Sequence, residues 1–112
     1  MLYKYNMSID DSRDAVFKAL AAPTRRALLD ALKDTPRTTG DLCARFPEID
    51  RCTVMQHLKV LEDADLVIAE RKGRERWNHL NALPIKHIYE RWLGPYATQA
   101  VDVLDRLKAN LG

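Results

Sequence analysis

Residues 38–81 read TTGDLCARFPEIDRCTVMQHLKVLEDADLVIAERKGRERWNHLN, and the order of signals in this stretch decides the fold. Thr38, followed three residues on by Asp41, is close to a capping box and starts a short helix over about 39–45, with Leu42 and Phe46 inward. Pro47 stops that helix. After only Pro47-Glu48-Ile49-Asp50, Asp50 caps a second, longer amphipathic helix over about 51–64. A short helix, a tight turn and an amphipathic helix form a helix-turn-helix unit. The β-branched run 66–71, a tight turn at Lys72-Gly73-Arg74 and a returning segment over 75–80 then form a β-hairpin with a basic tip.

The longer helix has two different faces. Val54, Leu58 and Leu61 fall within about 60° of each other at a turn of about 100° per residue. The opposite face carries Cys52, Gln56, Lys59 and Asp63, with Thr53 and Met55 on its flanks. A buried helix would not present such a face. A helix lying in the major groove of DNA would, because its outer side chains must reach base edges and phosphates. Of the six residues Arg71 to Arg76, four are basic and one is acidic. Such a hairpin beside such a helix is a wing suited to phosphate or minor-groove contact; an isolated charge run would read equally well as a solvated loop. Charge placement carries this reading, since the net charge is only +2. Arg51, Thr53, Gln56 and Lys59 are expected to do most of the groove work, and Lys72, Arg74 and Arg76 to bind phosphates. His57 reads either as a phosphate contact or as a cap on the core edge. If Leu80 faces the core, Trp77 faces out.

Outward from this unit the chain is helical. Residues 1–9 form a lead-in containing Leu2, Tyr3, Tyr5, Met7 and Ile9. A first helix is expected from about Asp11 to Ala21, capped by Ser8 or Asp10, with Val16, Phe17 and Leu20 on one face. Pro23 fits the first turn of a second helix that runs to Leu32 and buries Leu28, Leu29 and Leu32. From Pro84 onward, Ile85, Ile88, Tyr89, Trp92, Tyr96, Val103, Leu104, Leu107 and Leu111 form a long apolar stripe. Gly94-Pro95 interrupts it, predicting a kink or two consecutive helices. The stripe exceeds what a small domain needs for its own core, so the surplus is expected to be a homodimer seam. Phe17, Leu20, Ile88, Tyr89, Trp92, Tyr96, Val103 and Leu107 are its candidates; the alternative is that the stripe is the domain's own core.

The expected architecture is mainly α with a small β-hairpin: a winged helix-turn-helix of five or six helices and a two-stranded wing. The 112 residues fit one domain, with a DNA-binding core over about 23–82 and dimerisation elements over about 1–21 and 84–111. No apolar run approaches the roughly 20 residues that span a bilayer, and MLYKYNMSID lacks an export signal, so a cytoplasmic protein is expected. Cys43 and Cys52 form no CxxC pair, consistent with a reducing compartment. No glycine-rich phosphate loop, nucleophile elbow or HExxH is present, so neither catalysis nor a cofactor is expected.

The segment LAAPTRRALLDAL followed by residues 38–81 resembles the ArsR-type family of bacterial winged-helix repressors over about residues 13–83. TVMQHLKVLEDADLV is its most specific block, and YERWLGPY resembles a branch of the family lacking obvious metal ligands. The resemblance implies a homodimer joined through the first and last helices, on a palindromic operator of double-stranded DNA. It places the base-reading positions on Cys52, Met55 and Gln56, with Arg51 beside them. At Cys52 and Met55 the family commonly has small hydroxyl residues, and at Asp65 a glycine ending the helix in the left-handed conformation. The family's Cys-x-Cys metal positions fall on Thr38 and Gly40. His87 and Glu90 supply half of another metal site, and no metal site is expected. The competing readings are a winged-helix module that binds protein without DNA, and a thiol- or metal-responsive sensor, the thiol being Cys52.

Overall fold

Helix α1 (Ile9–Leu20) opens the part of the chain that the structure, a computed structural model, describes: residues 8–94 and 97–111. Ser8 Oγ accepts the Asp11 N–H at 3.1 Å, so the helix begins two residues before the expected start. Its buried residues are Val16 and Ala19. Phe17, expected on the inward face, is 46% exposed, and Leu20 is half-buried against the core. Ala19 is fully buried in the core beside Val16, and a stripe of large apolar side chains does not register so small a residue.

Pro23 stands at the start of α2 (Pro23–Leu32), and Leu28, Leu29 and Leu32 are buried, as expected. The corner between α1 and α2 is closed by arginines. Arg25 Nε donates to the Ala19 carbonyl at 2.7 Å and Arg26 Nη1 to the Leu20 carbonyl at 2.7 Å, satisfying acceptors left over at the end of α1. Arg37 Nε does the same for α2 at the Ala31 carbonyl, 2.6 Å away. Arg37 and Thr38 form a short strand β1 (Arg37–Thr38) that periodicity did not reveal, since two residues carry no alternation.

Helix α3 (Thr39–Arg45) and helix α4 (Arg51–Asp63) form the helix-turn-helix. Thr38 Oγ1 accepts the Asp41 N–H at 3.0 Å, and Asp50 accepts the Thr53 N–H at 2.8 Å. Both caps are the residues their sequence signatures predict. Helix α4 ends in a Schellman motif: Leu66 N–H bonds the Leu61 carbonyl at 2.9 Å and Asp65 N–H the Glu62 carbonyl at 3.0 Å. Asp65 takes φ +62°, the left-handed conformation expected there. Leu66 and Leu61 are both fully buried beside this turn.

Strands β2 (Val67–Lys72) and β3 (Glu75–Leu80) pair antiparallel, from Val67 opposite Leu80 to Lys72 opposite Glu75. Gly73, at φ +62°, opens the two-residue turn, where only a residue without a Cβ adopts that angle without strain. Strand β1 pairs with β3, so the wing belongs to a three-stranded sheet in the order β1-β3-β2 rather than a two-stranded one. Asn78, fully buried on β3, donates to the Arg37 carbonyl and to Thr39 Oγ1, tying the wing to β1 and α3.

Helices α5 (Leu83–Trp92) and α6 (Ala97–Leu111) follow, so the break at Gly94-Pro95 separates two helices. Helix α5 buries none of its residues. Ile88 alone on that helix packs partly against the core, which is built from Val16, Ala19, the leucines of α2, Leu42, Val54, Leu58, Leu61, Leu66 and Val67. The radius of gyration is 17.3 Å, against about 13 Å for a compact domain of this length, because the C-terminal helices extend from the core. Among the described residues no helix is long and apolar enough to cross a membrane. Leu2, Tyr3, Tyr5, Met7, Pro95 and Tyr96 lie outside the described residues.

Candidate nucleic-acid interface

Helix α4 is fixed in rotation by its core stripe. Val54, Leu58 and Leu61 are fully buried. Arg51, Cys52, Met55, Gln56, Lys59 and Asp63 are consequently exposed, while Thr53 and His57, one turn apart, sit half-buried along one margin. The polar face derived from the helical wheel is therefore the solvent face. Within it, Lys59 Nζ pairs with Asp63 one turn on, at 3.3 Å.

The wing stands beside the start of this helix. Alternation along the strands places Val67, Ala69 and Arg71 on one face with Leu80, Asn78 and Arg76, and Ile68, Glu70 and Lys72 on the other with His79, Trp77 and Glu75. The first face looks toward the helices. There Arg51 and Met55 of α4, Thr38 to Gly40 at the start of α3, and Arg71, Arg74 and Arg76 of the wing line one open recess of about 300 Å³, with Glu75 as the single acidic residue at its edge. Cations thus converge from two elements on a single concavity.

These cations are not equivalent. Among the described residues Arg51, Arg71 and Arg74 enter no ion pair. Lys72 Nζ is 3.5 Å from Glu70 and 5.9 Å from the centroid of the Trp77 ring, so it lies on the outer face of the wing. Arg76 is bonded to the Glu62 carboxylate of α4, and its Nε is buried without a partner. It braces the wing against the helix as well as facing the recess. His79 is half-buried and bonds Glu70 at 3.1 Å. That contact, and then the nearby Lys72 ammonium, hold the Glu70 carboxyl below its ordinary range. Trp77 faces out, under Lys72, on the face opposite Leu80.

Arg71 and the turn at Thr39-Gly40 were not among the expected contacts. The signal for Arg71 was present: it is four residues after the buried Val67, on the same side of the strand. The α3 turn could not be found without β1, which brings it against the wing.

The C-terminal candidates remain uncovered. The Phe17 and Trp92 rings meet in a tilted contact with centroids 5.9 Å apart, and Trp92 is 52% exposed. Arg13 and Arg91 guanidiniums each lie 5.3 Å from the Trp92 ring. Tyr89, Val103 and Leu107 are exposed, whereas Leu20 and Ile88 lean on the core of their own chain. Cys43 is half-buried and packs against the core, and Cys52 is exposed. Among the described residues no cluster of three or more His, Cys, Asp or Glu is placed to hold a metal ion.

A helix-turn-helix family model matches residues 20–69. The chain is 37% identical over 91 residues to an uncharacterised HTH-type transcriptional regulator, YuzN, of Bacillus subtilis, covering 76% of this chain and 99% of that one. It is 39% identical over 66 residues to the transcriptional repressor SdpR of the same organism, covering 59% and 72%. A solved ArsR family transcriptional regulator superposes with a TM-score of 0.69 at 28% identity, over 88% of this chain and 95% of that one. A solved possible transcriptional regulator for arsenical resistance superposes at 0.63 with 33% identity, over 83% and 92%. The chain belongs to the ArsR-type family. As an ArsR-type regulator it is a DNA-binding transcriptional regulator of winged helix-turn-helix fold, in a family whose members regulate genes rather than catalyse reactions. Helix α4 of this ArsR-type chain occupies the recognition position of the motif.

Proposed function

We propose that this protein is a cytoplasmic homodimer that binds a palindromic operator and represses transcription, including that of its own gene. The observation that carries the reading is the recess at the start of α4, where an exposed helix face and the wing cations adjoin. In each protomer α4 enters the major groove. Arg51, Cys52, Thr53, Met55 and Gln56 meet base edges there, while His57 and Lys59 reach the backbone. Lys72 and Arg74 bind phosphates, and Arg76 adds a phosphate contact to its brace on Glu62. The DNA-binding core spans about residues 23–82. The segments over about 1–21 and 84–111 join the protomers through Phe17, Leu20, Ile88, Tyr89, Trp92, Tyr96, Val103 and Leu107. The bare apolar stripe of α5 and α6 supports that seam, and the relative SdpR, a repressor, supports the sense of regulation.

A dimer with two-fold symmetry sets its recognition helices about 34 Å apart, one turn of duplex. Footprinting on the DNA upstream of its own gene, with sedimentation of the complex, tests this. Two protected half-sites one turn apart with two chains per duplex are expected. Absence of protection, or one chain per site, would refute the reading. Replacing Gln56 should then change base preference at one position of each half-site, by about 1–3 kcal/mol.

A further inference from the structure

Arg25 is the third residue of α2, yet its guanidinium reaches away from that helix. Nε donates to the Ala19 carbonyl at 2.7 Å and Nη2 to the Lys18 carbonyl at 2.9 Å, both in the last turn of α1. Nη1 lies 3.3 Å from Nδ1 of His57, on α4. One side chain thus joins the end of α1 to the recognition helix, across 32 residues of sequence.

The chemistry of this contact is one-directional. A guanidinium has five N–H donors and no acceptor, so His57 Nδ1 must accept and the ring proton sits on Nε2. The two nitrogens occupy opposite edges of the ring, so the Nε2–H edge is turned away from Arg25. Among the described residues that N–H has no protein acceptor. His57 lies between exposed Gln56 and fully buried Leu58, at the margin of the face assigned above to DNA.

We propose that Arg25 is a positioning residue for DNA binding: it holds His57 in the Nε2–H tautomer, so that α4 presents an oriented donor to a backbone phosphate oxygen. The inference rests on the reading of α4 as the groove helix. Of the two roles that sequence left open for His57, this reading takes the phosphate contact. It also explains why a side chain that caps α1 extends further, to an imidazole that the core does not need. Since α1 belongs to the proposed dimer seam, Arg25 makes the setting of the recognition helix depend on the end of a dimerisation element.

Two measurements on the full chain test this. Long-range ¹H–¹⁵N imidazole spectra of the free protein report the tautomer without reference to DNA. Binding to a random 30-base-pair duplex at low salt reports the phosphate contact, which carries no sequence requirement. Arg25→Lys keeps a donor for the α1 carbonyls and gives up the fork that also reaches His57. His57→Gln keeps an N–H donor that needs no tautomer. The expected result is a single Nε2–H pattern in the wild type and mixed tautomers in Arg25→Lys. That variant should lose about five- to tenfold in affinity when His57 is present and under about twofold in the His57→Gln background. An unchanged tautomer in Arg25→Lys would overturn the positioning role. Equal losses in both backgrounds would overturn it too, since Arg25 would then act only by capping α1. Failure of the wild type itself to bind any duplex would remove the groove reading and this inference with it, while leaving the tautomer result to report the contact alone.

Discussion

Helices α4 and α6 carry comparable apolar stripes and meet opposite fates. On α4, Val54, Leu58 and Leu61 are fully buried. On α6, Val103, Leu104 and Leu107 are 59%, 62% and 52% exposed. Sequence periodicity treats the two alike. The difference is that α4 is enclosed by α1, α2, α3 and β2, whereas α6 extends past the core. An amphipathic pattern therefore says that a face calls for cover and is silent on which chain supplies it. The helix-turn-helix half is complete within one protomer, and the C-terminal half is the surface from which a second protomer is proposed to complete it.

The comparison breaks most visibly under one substitution made twice. Leu58→Ala removes fully buried side-chain atoms and should cost about 2–5 kcal/mol in urea unfolding. Leu107→Ala should change the unfolding of dilute chain by less than about 0.5 kcal/mol. It should instead weaken self-association about fivefold or more by sedimentation, the effect of an interface residue contributing roughly 1 kcal/mol. If Leu107→Ala destabilised the chain as Leu58→Ala does, at every concentration, the stripe would belong to the protomer's own core.

A smaller effect separates the cations within the half proposed to bind DNA. Lys72→Ala and Arg74→Ala should weaken binding to all sequences alike, each lowering the slope of log affinity against log salt by about 1. Their folding midpoints should not move, since both side chains are exposed. Arg76→Ala should lower affinity and melting temperature together, because it strips the Glu62 carboxylate of its partner. A melting temperature unchanged by Arg76→Ala would show that the brace contributes nothing.

The parts of this division that sequence made legible are those governed by neighbours in the chain. Thr38 and Asp50 cap helices as expected, and Ser8 is the one of its two candidates that does, because a cap is decided within three residues. The left-handed Asp65 was legible through the family resemblance, whose usual glycine marks that position. It offers a further test: Asp65→Gly relieves a strained φ and should leave stability unchanged or raise it by up to about 1 kcal/mol, read as an unchanged or higher melting temperature. A clear fall would contradict that. What stayed hidden depends on distant partners. Asn78 bonds the Arg37 carbonyl across 41 residues, Arg25 reaches His57 across 32, and Arg76 reaches Glu62 across 14. Ala19 was missed because a search for large apolar side chains passes over alanine, although it is fully buried. In the candidate interface the exposed face of α4 was legible and the recess was not, because the recess needs β1 to bring α3 against the wing.

The smallest expected effect concerns how the two halves begin their helices. Helix α4 starts on a titratable cap, Asp50, whereas at α5 the cap residue Ala82 offers no side chain and the neutral Asn81 Oδ1 accepts the Leu83 N–H at 3.2 Å. The Asp50 carboxyl lies below its ordinary value of 3.8, first because the Thr53 N–H donates to it, and second because the Thr53 hydroxyl does. A carboxyl whose folded value is depressed gives a stabilisation that is complete above its unfolded value and fades as pH falls through the folded one. Asparagine caps a helix about as well and does not titrate. Wild type should therefore hold a small, constant advantage in melting temperature over Asp50→Asn from neutral pH down to about 5, losing it below the ordinary carboxylate range. Circular dichroism melts between pH 3 and 7 measure this. An advantage that persisted to pH 3 would mean that the charge of Asp50 does not act at the start of α4, and that hydrogen-bond geometry alone anchors the recognition helix.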